Sequence, residues 1–102
     1  FMPYAPLLIL IGEADDWTPA APCVALAETA RSHGAPVDIV TYPGAYHDFD
    51  NPGSGQVRLR ADVPNGVHPG QGVHVGPDPE AREAARQSVL AYLAEQFSSD
   101  KR

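Results

Sequence analysis

The chain has 102 residues, 43% of them apolar, and 13 acidic side chains against 7 Lys and Arg give a formal charge of −6. That length allows one small domain at most, and the apolar share is that of a folded rather than a disordered chain. The acidic balance leaves no basic patch for nucleic acid, no apolar run is long enough to cross a membrane, and the single cysteine, Cys23, permits no internal disulfide.

The chain opens on Phe1-Met2-Pro3-Tyr4 and enters an apolar run almost at once, without the basic segment and cleavage site of a leader peptide. So abrupt a start is expected of a fragment or a split gene product, and the lone cysteine suits a cytoplasmic location. The run Leu7–Ile11, ended by Gly12, predicts a strand covered on both faces, because a strand with one wet face would alternate. A loop follows, then a helix with Thr18 as N-cap, Pro19 at its first position and Pro22 in its first turn. Cys23, Leu26, Ala27 and Ala30 give that helix one apolar stripe, and Gly34 after His33 supplies a left-handed stop. The β-branched segment Val37–Tyr42 predicts a second strand, so residues 7–42 read as a βαβ unit with a right-handed crossover.

Residues 43–79 hold most of the Gly and Pro and keep no periodicity; loops of that length belong to function or to disorder. Within them, Val57, Arg58, Leu59 and Arg60 alternate as a short exposed strand or extended loop does. Asp78 or Pro79 opens the final helix, 80–97, with Val89, Leu90, Leu93, Ala94 and Phe97 on its apolar face and Glu80, Glu83 and Arg86 outside. The fold class is therefore α/β: a βαβ unit, a long loop and a final helix. The first strand needs neighbours that this sequence does not supply. A missing N-terminal segment, or another copy of the chain, is expected to complete the sheet.

Reactive groups in open parallel sheets gather at the carboxyl ends of the strands. Asp15, in Gly12-x-x-Asp15-x-x-x-Pro19, stands just past the first strand, and His47, in Gly44-Ala45-Tyr46-His47, just past the second. Parallel neighbours lie about 4.8 Å apart, so the two side chains are expected to meet. The chemistry such a pair serves is nucleophilic. A Ser or Cys attacking an ester must lose its proton, which neutral histidine accepts near pH 7. A carboxylate on the other ring nitrogen fixes the tautomer and stabilises the imidazolium. An Asp or a His taken singly is usually a cap, a turn or a surface residue; joint placement after successive strands is what points to function.

Other residues weigh less. Asp16 is the rival acid or a helix cap, although motif spacing favours Asp15. Trp17 lines a substrate pocket or packs under the loop. Cys23, on a helix stripe and outside any Gly-flanked turn, is expected to be a buried inert thiol. His68 and His74 lack partners at metal-binding spacing, so a solvated loop is expected there. Arg58 and Arg60 have the charge to hold a substrate carboxylate, though an exposed strand explains them more simply.

The segment from Leu7 to Asp50, with GEADDWTP and YPGAYHDFD, resembles the dienelactone hydrolase family of α/β-hydrolases. The resemblance implies that Asp15 is the acid and His47 the histidine of a catalytic triad, with Phe49 at the family's aromatic position. It also implies that the helix from Ala81 to Phe97 is the family's last helix, that the substrate is a small ester or lactone, and that no metal or organic cofactor takes part. In this superfamily the nucleophile precedes the acid and the acid precedes the histidine. The family's Gly-x-Cys-x-Gly or Gly-x-Ser-x-Gly elbow is absent here. We therefore expect the C-terminal part of a hydrolase, inactive alone, whose nucleophile lies on an N-terminal hydrolase segment. The second expectation is a non-catalytic homo-oligomeric remnant or interaction module.

Overall fold

Side chains along a strand alternate between two faces, and here both faces are met by helices. In the computed structural model, which describes residues 1–53 and 55–98, β1 (Leu7–Gly12) and β2 (Val37–Tyr42) pair in parallel, Leu7 opposite Val37 through Gly12 opposite Tyr42. The crossover is α1 (Ala20–Ser32). Leu7, Ile9 and Ile39 pack with Ala27, Ala30, Ala35 and Val37 on the α1 side. Leu10 and Val40 point the other way, toward Tyr42, Ala45, Phe49 and the alanines Ala81 and Ala85 of the last helix. This two-sided cover is why the apolar run of β1 is continuous.

The stop of α1 is the expected one. Gly34 adopts φ 85°, and its N–H donates to the Arg31 carbonyl at 2.9 Å. Its start differs. The N-cap is Pro19, in extended conformation, and no side chain caps the helix. The third helical residue is Pro22, which has no N–H for a cap to satisfy, and the Thr18 hydroxyl is engaged elsewhere. Leu26 is exposed and Cys23 only half-buried, so the buried stripe reduces to Ala27 and Ala30.

Residues 43–79 are not a structureless loop. They contain β3 (Arg58–Arg60) and β4 (Val73–Val75), which pair antiparallel as a second sheet. Val63, Val73 and Val75 form a small core beneath it, with Trp17 packed against them. β3 falls where the alternation of Val57, Arg58, Leu59 and Arg60 predicts a short exposed strand, whereas β4 is too short to show a period and finds its partner across a long intervening segment. Arg60 is tied to Asp62 by a bidentate pair of bonds, Nε–H donating to Oδ1 at 2.9 Å and Nη2–H to Oδ2 at 2.7 Å.

The last helix, α2, spans Pro79–Gln96. Asp78 caps it, accepting from the Ala81 N–H, and the Asp78 N–H donates to the Phe49 carbonyl at 3.0 Å. Only Ala81 and Ala85 of α2 are buried, whereas Val89, Leu90, Leu93 and Phe97 remain exposed, Phe97 to 82%. An 18-residue helix is roughly 27 Å long and a six-residue strand roughly 20 Å, so two strands cannot cover its far end. The apolar side chains on the outer half of this helix are therefore exposed. Among the described residues no helix is long and apolar enough to cross a membrane.

Candidate active site

The carboxyl ends of β1 and β2 are stitched together before any side chain is considered. The Glu13 N–H donates to the Tyr42 carbonyl at 2.9 Å, and the Ala14 N–H to the Ala45 carbonyl at 3.0 Å. Gly12 permits this closeness, because a Cβ there would collide with the Ala45 carbonyl. We expect Gly12→Ala to destabilise the chain by about 1–3 kcal/mol, the usual cost of overpacking, and to separate the two loops. Urea unfolding checks the magnitude, and an unchanged midpoint would argue against the close approach.

On these stitched loops Asp15 and His47 meet. The His47 Nδ1–H donates to Asp15 Oδ2 at 3.0 Å. Asp15 is 8% exposed, and a buried carboxylate needs hydrogen bonds to offset its lost hydration. It has them: Oδ1 accepts from the backbone N–H groups of Trp17 (2.9 Å) and Thr18 (2.8 Å), and Oδ2 accepts from the Thr18 hydroxyl (3.0 Å). The Thr18 oxygen lies 3.2 Å from His47 Nδ1, so one hydroxyl touches both members of the pair. The imidazole is held from the side by Trp17, whose ring centroid is 4.6 Å away. Trp17 thus bridges the β3–β4 core and the histidine.

Behind His47 the chain turns sharply. Asp48 adopts φ 69°, the sole non-glycine residue at positive φ among those described. Such a conformation costs about 1–2 kcal/mol and is tolerated best by Asn and Asp. Asp48 is braced there by Asn51, whose side-chain amide donates to Oδ2 at 2.9 Å. The turn sends Phe49 inward, where it is buried against Tyr42 with ring centroids 5.4 Å apart. A pocket of about 280 Å³ opens beside Asp15, Thr18 and His47. Larger hollows of about 430 and 450 Å³ lie near the amino ends of β1 and β2 and along the far end of α2, beside Pro6 and Tyr92. Neither holds an acid–histidine pair, so volume alone does not mark the site.

Asp16 is neither the partner of His47 nor a helix cap. Its Oδ2 accepts from His74 Nδ1–H at 2.6 Å and its Oδ1 from the His74 backbone N–H at 2.8 Å. His74 therefore sits on β4 as a paired residue and not in a solvated loop, while His68 stays exposed. Among the described residues no three His, Cys, Asp or Glu side chains cluster as metal ligands would. Burial raises the Asp16 pKa, but the two hydrogen bonds and the charge of His74 outweigh it and leave the carboxyl below its ordinary value. A carboxyl depressed in the folded state stabilises it above the unfolded pKa and ceases to do so as pH falls through the folded one. We accordingly expect the contact between Asp16 and β4 to be intact near neutrality and lost only below about pH 4. Amide exchange of Val73–Val75 measured down a pH series, after correction for intrinsic rates, checks this; loosening already near pH 6 would contradict it.

Two contributors escaped the sequence reading, Thr18 and Asp48. The signal for Thr18 was present, since Asp-x-x-Thr ahead of a proline is a pattern in which carboxylate and hydroxyl meet over one turn. For Asp48 no sequence feature announces the left-handed backbone.

The sequence model of the dienelactone hydrolase family matches residues 3–97, nearly the whole chain. No curated protein and no solved structure gives a significant match. The family implies the α/β-hydrolase fold and a hydrolase-like function, in keeping with the parallel β1–β2 pair and its helices. On that match over nearly its whole length, the chain belongs to the dienelactone hydrolase family.

Proposed function

We propose that this chain is the acid–histidine part of an α/β-hydrolase that cleaves a small ester or lactone. The observation that carries the reading is the 3.0 Å contact between His47 Nδ1 and a fully hydrogen-bonded Asp15. With Nδ1–H committed to Asp15, His47 Nε2 is the nitrogen left to take a proton from a nucleophile. A Ser or Cys on a separate hydrolase segment attacks the carbonyl as His47 accepts its proton. His47 then returns the proton to the leaving alcohol, and Asp15 stabilises the imidazolium between the two steps. In the second half, water loses its proton to His47 and attacks the acyl group; the bond to the Ser or Cys breaks, His47 returns the proton to that nucleophile, and the acid is freed. The oxyanion donors of this superfamily come from the nucleophile residue's neighbour and an early loop, hence from that same segment.

The chain alone is then not a catalyst. Pure protein is expected to release p-nitrophenol from p-nitrophenyl acetate no faster than its H47A variant. Mixing it with the nucleophile-bearing N-terminal portion of a dienelactone hydrolase is expected to produce turnover that H47A lacks. Turnover by the chain alone that depends on His47 would overturn the division of labour.

A second reading has its own support in the exposed Val89, Leu90, Leu93 and Phe97 and in the outer edge of β1, which pairs with no strand among the described residues. Unpaired edges and apolar stripes invite a second copy. A dimer by sedimentation, with no gain of activity on mixing, favours a homo-oligomeric remnant; a monomer that gains activity favours the hydrolase.

A further inference from the structure

We infer that Asp16 and His74 are positioning residues for His47, acting as a latch that fastens the β3–β4 sheet across the carboxyl ends of β1 and β2. The inference rests on the reading of Asp15–His47 as the working pair. Its basis is the set of bonds that converge on Asp16. Both carboxylate oxygens go to His74, one to its backbone and one to its ring. The Asp16 carbonyl accepts from the Val67 N–H at 2.7 Å, so one residue grips the segment leading into β4 as well as β4 itself. Gly66 makes room for that grip, because a Cβ there would stand 2.8 Å from the Asp16 carbonyl oxygen.

What Asp16 holds in turn holds His47. Val75, next to His74, forms a parallel bridge with His47, and the Gly76 N–H donates to the His47 carbonyl at 3.1 Å. The His74 ring also lies against Tyr46, the residue before His47, with centroids 5.2 Å apart. The adjacent acids Asp15 and Asp16 therefore take different ends of one connected strand system. Asp15 holds the His47 ring, and Asp16, through His74, holds the His47 backbone. Catalytic geometry tolerates displacements of only a fraction of an ångström, so fixing the backbone matters as much as fixing the ring.

The test needs no hydrolysis and uses the full chain. In proton NMR the His47 Nδ1–H bonded to Asp15 gives a low-field signal, and the Gly76 amide reports its bond to His47 by slow exchange. Hydrogen bonds to a charged group contribute enough that D16A and H74A are each expected to speed Gly76 exchange by about tenfold or more. Both are expected to broaden the His47 signal while β1 and β2 amides exchange as before. H74N keeps a donor near the position of Nδ1 and is expected to restore both readings, and it serves as the informative variant should D16A fail to fold. R60A, which breaks the Arg60–Asp62 pair in the same sheet, should leave both unchanged. An unaltered His47 signal and Gly76 rate in H74A would overturn the latch while leaving Asp15–His47 standing. A wild-type chain without the low-field His47 signal would overturn the pair and the latch with it.

Discussion

In the hydrolase assembled from this chain and a nucleophile-bearing segment, H47A is expected to lower kcat by about 10²–10⁴-fold, the usual contribution of a positioned proton-transfer group. KM is expected to change little, because a proton-transfer group contributes to the chemical step more than to binding. The effect is expected to be large because Asp15 and His74 are both committed to other bonds. Asp15 already accepts four hydrogen bonds, one of them from His47 Nδ1. His74 is held by Asp16 on β4. Steady-state kinetics on a small ester measures the loss, and a reduction of tenfold or less would mean that another group moves the proton.

The largest effect on stability is expected at Phe49. Its ring is buried with Tyr42, Ala45, Ala81 and Ala85, and its carbonyl receives the Asp78 N–H at the start of α2. Phe49→Ala is expected to cost about 3–5 kcal/mol, from lost burial and the cavity left behind. Small domains are stable by about 5–15 kcal/mol in all, so the variant should be largely unfolded well below the wild-type midpoint. Because the same residue anchors the turn after His47, loosening at Phe49 also frees the histidine. Thermal denaturation followed by circular dichroism checks the cost, and a shift worth under 1 kcal/mol would mean that the aromatic cluster is not what joins α2 to the site.

The parallel unit was legible in the sequence because local pattern and tertiary environment agree there. Leu7–Ile11 is unbroken since helices cover both faces, Val37–Tyr42 is β-branched, and Gly34 has the left-handed backbone that ends α1. The pairing of Asp15 with His47 was legible from their placement after successive parallel strands together with the motif spacing that favours Asp15 over Asp16. What the sequence hid is non-local. The alternation of Val57–Arg60 allows β3, but its three-residue partner β4 shows no period, and the bond from Asp16 to His74 joins residues 58 positions apart. Thr18 was misassigned because a hydroxyl before a proline reads equally as a cap; the proline at the third helical position and the buried carboxylate nearby decide otherwise. The spacing predicts an apolar face on α2 through Val89, Leu90, Leu93, Ala94 and Phe97, yet the buried residues of the helix are Ala81 and Ala85, because only its first half lies against the two strands.

The adjacent acids offer the sharpest discrimination. In the assembled hydrolase D15N is predicted to lose about 10³–10⁴-fold in kcat, because the amide cannot hold the tautomer or stabilise the imidazolium. D16N, which keeps an oxygen for the His74 backbone N–H, is predicted to lose about tenfold at most. Rates for the two variants, measured side by side on one ester, decide the matter. A D16N enzyme as crippled as D15N, or more so, would contradict the assignment of Asp15 as the partner of His47.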